Sequence, residues 1–226
     1  MLLNAEFDKP VLLHGQSIPW QSSPMPGVDR RPLDRIGDEV ARATTIVRYA
    51  EGSHFSPHTH DGGEEFVVLD GVFEDEHGAF PVGSYIRNPP TSRHTPGSTD
   101  GCVIFVKLWQ FDPADRQQVH VDMSRAAAQP DAARRGVEVT PLFADARETV
   151  TMETWAPGTR AAIAAPGGAE VLVLSGAATF GDEALERWSW IRHPSGQDID
   201  LTAGPDGLRV WIKTGHLDHV SAPPVA

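Results

Sequence analysis

Short apolar runs separated by glycine- and proline-bearing turns set the rhythm of this chain. The Val40, Thr44, Ile46 and Arg48 region, then Phe66 to Leu69, Tyr85 to Arg87 and Val103 to Leu108, read as successive strands bounded by turn chemistry. The 21 glycines and 19 prolines are spread evenly, which leaves little room for long helices. An all-β protein is predicted, and strands of this length suit a sandwich or a barrel.

The same skeleton occurs twice. Gly27-Val28, three residues and Pro32-Leu33 return as Gly136-Val137, three residues and Pro141-Leu142, an offset of 109. Glu65-Phe-Val-Val-Leu-Asp-Gly71 returns as Glu170-Val-Leu-Val-Leu-Ser-Gly176, and Tyr85-Ile86-Arg87 as Trp190-Ile191-Arg192, both at an offset of 105. Val106-Lys107 matches Ile212-Lys213 at 106. Such small drifts place the length changes in loops. The chain is therefore expected to hold two β-domains, 1–117 and 118–226, with the polar, alanine-rich stretch from Ser124 to Arg135 as a surface connection early in the second.

One constellation in the first copy carries chemistry. His58 and His60 are spaced i and i+2, so they share a face only on a strand. Asp61-Gly62-Gly63 supplies a tight turn, after which a strand from Glu64 to Leu69 is expected to return antiparallel and bring Glu64 beside the imidazoles. His94, beyond Pro89-Pro90-Thr91, is placed to swing a fourth ligand into the same hollow. Imidazoles with a carboxylate suit one divalent ion of Fe, Mn, Ni, Cu or Zn, with positions left open for water or substrate. The neighbouring Glu65 competes with Glu64 for this role, since one residue of register turns a side chain to the other face.

The second copy acts as an internal control. Where the first has His58, Thr59 and His60, the second has Ile163, Ala164 and Ala165; Ala169 stands for Glu64 and Ile199 for His94. The whole ligand set is missing while the glycines, the Arg87 and Arg192 pair and the Lys107 and Lys213 pair persist. Arg87 and Lys107 are accordingly read as structural or interface residues. Glu65, which persists as Glu170, yields to Glu64 as the ligand. His54 is close enough to support the site from outside, whereas His77, His120, His216 and His219 read as surface or loop residues. Phe55, Phe66 and Tyr85 are assigned to core packing, with a pocket lining as the alternative.

Charge and cysteine content narrow the partners. A formal net charge of −12 with no basic cluster beyond adjacent arginine pairs argues against direct nucleic-acid binding. A single cysteine, Cys102, permits no internal disulfide and fits a reducing, cytoplasmic compartment. It reads as a small buried side chain near a strand start. The N-terminus lacks the basic region of a secretory signal, and no apolar run is long enough to span a bilayer.

The first copy resembles the cupin family, whose first motif runs G(X)5HXH(X)3,4E(X)6G. Gly52, His58, His60, Glu64 and Gly71 match it position for position. The second cupin motif, G(X)5PXG(X)2H(X)3N, is met by Gly83, Pro89 and His94, with Thr91 in place of the glycine and Ser98 in place of the asparagine. The His-x-His-x-x-Gly-Glu-Glu run, Tyr-Ile-Arg-Asn-Pro-Pro and Gly-Cys-Val-Ile-Phe-Val-Lys are similar to the ChrR-type cupin subgroup. The resemblance implies tandem double-stranded β-helix (jelly-roll) barrels, the second degenerate, with one metal ion held by His58, His60, Glu64 and His94. Iron and zinc lead the candidates, ahead of manganese and nickel. It further implies either an Fe(II)-type oxygenase acting on a small oxygenated organic substrate or, alternatively, an oxidative-stress sensor of the anti-sigma-factor kind. The histidine and cysteine cluster of the latter's sigma-binding zinc domain is missing from this sequence. A homodimer is expected, and no side chain is assigned a catalytic role.

Overall fold

The computed structural model describes residues 1–38 and 40–223. Almost every element is a β-strand, and the sheets are antiparallel throughout. The chain divides into two compact units. The first comprises Met1–Ala5 and Pro19–Ser124 with the described residues from Ser221 onward; the second comprises Glu6–Ile18 and Arg125–Val220.

The first unit is built on the strand order Leu2–Leu3, Val28–Gly37, Ala41–Tyr49, Cys102–Leu108, Glu64–Asp75, Ser84–Asn88, Val119–Asp122. The second repeats it as Gln129–Pro130, Val137–Ala144, Thr149–Trp155, Ile199–Thr214, Ala169–Phe180, Ser189–His193, Val11–His14. Two strands depart from the expected division near residue 117. Val119–Asp122 pairs with Ser84–Asn88 and so stays with the first unit. Val11–His14 pairs with Ser189–His193, which carries residues 6–18 into the second.

The repeat read from sequence is reproduced in the hydrogen-bonding register. Glu65 lies opposite Lys107 and Arg87, as Glu170 lies opposite Lys213 and Arg192. All six side chains are buried. Arg87 approaches Glu65 at 3.7 Å and Asp115 at 2.9 Å, Tyr85 donates its hydroxyl to Glu65 at 2.6 Å, and Lys107 donates to Thr44 Oγ1 at 2.9 Å. In the second unit His216 Nε2 lies 2.8 Å from Glu170 Oε1, so His216 is a buried partner of that carboxylate and not the surface residue expected. Removing one member of such a group leaves an uncompensated buried charge, which explains why the set recurs where the metal ligands do not.

Two close backbone approaches also recur. Gly71 has φ +66°, and a Cβ there would sit 2.0 Å from the Gly101 carbonyl oxygen; Gly176 has φ +76°, with the Gly207 oxygen at 2.2 Å. Any side chain would break the crossing of the two strands, so this motif glycine serves the fold.

The interiors differ. In the second unit Ile163, Ala165, Ala169 and Ile199 are 3% exposed or less and belong to one apolar cluster with Val171, Val210 and Ile212. The corresponding cluster of the first unit is smaller, around Val28, Val47, Phe66, Val68, Ile104 and Val106, and the side chains above it are polar.

Candidate metal centre

His58–His60 forms a short strand, and its partner is Ser92–His94, with His58 opposite His94 and His60 opposite Ser92. This corrects the hairpin expected between His58–His60 and the strand beginning at Glu64. Both edges of that strand are already taken, Glu64 lying opposite Leu108 on one side and Asn88 on the other. A strand has only two edges, so the histidines find their partner elsewhere. The Asp61-Gly62-Gly63 turn nonetheless delivers Glu64 to the same place. It closes through Gly63 N–H donating to His60 O at 3.2 Å, with Gly63 at φ +77°. Trp109 and Phe111 pack against the two glycines so closely that a Cβ on either would collide with a ring.

The imidazoles of His58, His60 and His94 converge. Their potential ligand atoms lie within 4.8 Å of one another, and the three rings stand mutually edge-to-face at 73–74° with centroids 4.6–5.1 Å apart. His60 Nε2 and His94 Nε2 are 2.9 Å apart. Adjacent nitrogens bound to one ion at about 2.1 Å and a right angle would be separated by about 3.0 Å. Glu64 Oε2 lies 3.5 Å from His60 Nε2 and 3.6 Å from His94 Nε2. Glu65 points to the opposite face, into the Tyr85 and Arg87 group. The structure thus brings together all four sequence-predicted residues.

The outer nitrogens are held as well. His94 Nδ1 is 3.1 Å from Asp75 Oδ2, and His58 Nδ1 is 3.2 Å from the Ser56 carbonyl oxygen. Each contact fixes a ring so that Nε2 faces inward. Asn88 Nδ2 donates to Glu64 Oε2 at 3.2 Å. Burial depresses the His60 pKa. Burial also opposes the charged form of His94, but the hydrogen bond to Asp75 and the negative charges of Glu64 and Asp75 outweigh it and raise that pKa. At 2.9 Å one Nε2 must donate to the other, and a cation would take the place of that proton. The donor set therefore fits a divalent transition ion.

Asp75, the partner of His94, was not legible in the sequence, and His54 does not act as the expected support: it is exposed and pairs opposite Gly97. Cys102 is buried with its thiol pushed up to about 11 by burial, and is inert as a nucleophile. Phe66 and Tyr85 are core residues, whereas Phe55 lines a cavity.

That cavity, of about 440 Å³, opens beside His58, His60 and Glu64. Its walls include Val28, Val47, Tyr49, Phe55, Ile104 and Val106. Its size and apolar lining with a few convergent polar groups are those of a small-molecule site.

Residues 8–112 match the ChrR cupin-like domain family. The matched stretch carries His58, His60, Glu64 and His94. No curated protein matches the sequence. Solved structures of cupin fold are similar to the chain over nearly its whole length. A candidate dioxygenase of Nostoc punctiforme superposes with a TM-score of 0.77 at 16% identity, covering 97% of this chain and 87% of that one. Protein YlbA of Escherichia coli gives 0.70 at 14%, covering 96% and 95%, and the E. coli pirin YhhW, solved with nickel(II), gives 0.66 at 14%, covering 92% and 99%. At these identities the likeness establishes the cupin fold alone. None of the helices among the described residues is long and apolar enough to cross a membrane.

Proposed function

We propose that this cupin is a metal-dependent oxygenase acting on a small oxygenated organic substrate, with the ion held by His58, His60, Glu64 and His94. The observation that carries this reading is that His58 and His60 of the three-imidazole group, with Glu64, line a largely apolar cavity of about 440 Å³. A divalent ion such as iron, held by these four residues, would supply a Lewis acid for a substrate oxygen and mediate electron transfer to dioxygen, with the oxidised substrate as the net electron donor. The chain's own residues do the rest. Asp75 and the Ser56 carbonyl orient two of the ligand rings, Glu64 contributes the negative charge that favours a cation, and Tyr49 and Phe55 help shape a wall that sheds water from the apolar part of a substrate.

The ChrR likeness favours a second reading, an oxidative-stress sensor whose ligands rearrange on oxidation. A sensor of small oxidants has no use for a cavity of this size, so the enzyme is preferred. The second unit, with its filled interior, is proposed to be a degenerate, supporting copy.

The reading is tested on protein purified without air, by metal analysis followed by oxygen uptake with a panel of diketones and aromatic hydroxyketones. Iron with substrate-dependent uptake is expected; tightly bound zinc with no uptake on any compound would overturn the oxygenase. His58→Ala should abolish stoichiometric metal and leave the second unit folded. Unchanged metal content in that variant would show the ligand assignment to be wrong.

A further inference from the structure

The cavity has a second polar feature besides the histidines. Val28–Gly37 lies along it, and a β-bulge between Pro32 and Asp34 changes which residues of that strand face inward. Before the bulge Val28 and Arg30 lie opposite Tyr49 and Val47; after it Arg35 lies opposite Ala43. Tyr49, Val47 and Ala43 all line the cavity. Arg30 and Arg35 are five residues apart and would occupy opposite faces of a regular strand. The extra residue of the bulge puts both on the cavity side.

The second unit keeps the bulge, between Pro141 and Phe143, but not the arginines. By register, Val139 stands where Arg30 does and Ala144 where Arg35 does. Val139 packs against the apolar cluster that fills that unit. The two arginines therefore follow the metal ligands: present in the copy with a cavity, absent in the copy without one. The bulge serves the fold in both, and the cations are specific to the open site.

The two arginines are not equally committed. Arg35 Nε donates to the Gly37 carbonyl at 3.1 Å, and its Nη2 donates to the Asp38 carbonyl. The other arginines of this strand pair are engaged outside the cavity: Arg31 over the Trp20 ring, Arg48 on Asp29 at 2.6 Å, Arg42 beside Asp34. Arg30 is exposed at the cavity rim, and its guanidinium has no hydrogen-bond or ion-pair partner among the described residues. The carboxylates of the cavity, Asp61 and Glu64, belong to the histidine end. Met25 and Val40, two exposed large apolar side chains, share the rim. In a chain of net charge −12, a cationic and apolar rim over a metal-ligand floor is a selective arrangement.

We propose that the cavity takes a small organic acid, with its anionic group on Arg30, its apolar or aromatic body against Val47, Tyr49 and Phe55, and an oxygen donor directed at the histidine group. This rests on the proposed function for the donor end, whereas the Arg30 contact stands independently of any turnover. Arg30 is on a strand three places along the sheet from that of Glu64, which is about 14 Å at the usual strand spacing. The guanidinium fork fits a carboxylate by paired, charge-assisted hydrogen bonds.

The test is calorimetric titration of the full chain, metal-free and zinc-loaded, with phenylacetate, 3-phenylpropionate and 4-phenylbutyrate, each against its amide. At least one acid is expected to bind ten-fold or more tightly than its amide. Arg30→Gln should abolish that preference, and Arg30→Lys should retain part of it, both with unchanged zinc stoichiometry and melting temperature. Equal affinity for acid and amide, no binding of any acid, or a preference that survives Arg30→Gln would each overturn the proposal. A retained acid preference without oxygen uptake would sink the oxygenase and leave the acid site standing; uptake with uncharged ketones and no acid preference would do the reverse.

Discussion

At the scale of single residues, Thr91 and Asp75 teach most. Thr91 stands where the cupin motif has glycine, and its φ is +74°. The left-handed region costs an L-residue roughly 1–2 kcal/mol, and more for a β-branched one, so the motif glycine has a backbone reason. Thr91 is exposed, and what the turn requires of it is the main-chain donation to the His60 carbonyl at 2.9 Å. Thr91→Gly should keep that bond and raise stability by about 0.5–1 kcal/mol after the larger unfolded-state entropy of glycine is subtracted, measurable by urea unfolding. Asp75 never touches the proposed ion position, yet it fixes the His94 ring. Asp75→Asn should weaken zinc or iron affinity by about 10- to 100-fold in a chelator competition while all four ligands remain. An unchanged affinity would reduce Asp75 to a packing role. A histidine pair at i, i+2 before a glycine turn is legible because its spacing has a single geometric use. An aspartate at the end of a long strand has no such pattern, and only the folded register brings it to His94.

At the scale of elements, the local pattern specifies strands well and their partners poorly. The run from Phe66 to Leu69 was readable, but the strand continues to Asp75, and Glu64 takes both Asn88 and Leu108 as neighbours. Pairing of that kind is long-range and cannot be read from turn chemistry, which is why the expected hairpin failed although its ligands still converged. The internal repeat did carry long-range information. It matched Ile163 to His58 and Ile199 to His94, and those pairs sit opposite each other in their own units, His58 with His94 and Ile163 with Ile199. The same register position is therefore open in one unit and packed in the other. Ile199→Ala, emptying a fully buried site, should cost about 2–5 kcal/mol. His58→Ala, at an exposed position, should cost under about 1 kcal/mol in metal-free protein. Thermal or urea unfolding of the two variants separates these outcomes, and similar losses would mean that the first interior is packed as tightly as the second.

At the scale of the whole molecule, binding energy should act on one unit. Metal at 100 times its dissociation constant stabilises the state that binds it by about 2.7 kcal/mol. Hydrogen exchange with and without zinc should show slower amides in Ala41–Tyr49, Glu64–Asp75 and Cys102–Leu108 and unchanged ones in Thr149–Trp155 and Ile199–Thr214. Equal slowing in both sets would mean that the units open together. The route of the chain also has a consequence for its synthesis. Val11–His14 completes an edge of the second unit, and His14 meets Ser189 across 175 positions of sequence. At about 5–20 residues per second, a ribosome needs on the order of 10–30 s to make the segment that receives it. Val11–His14 leaves the exit tunnel before every other strand of its unit and is among the last to be seated, and until then it is an edge-seeking segment that a chaperone, or a neighbouring nascent chain, can capture.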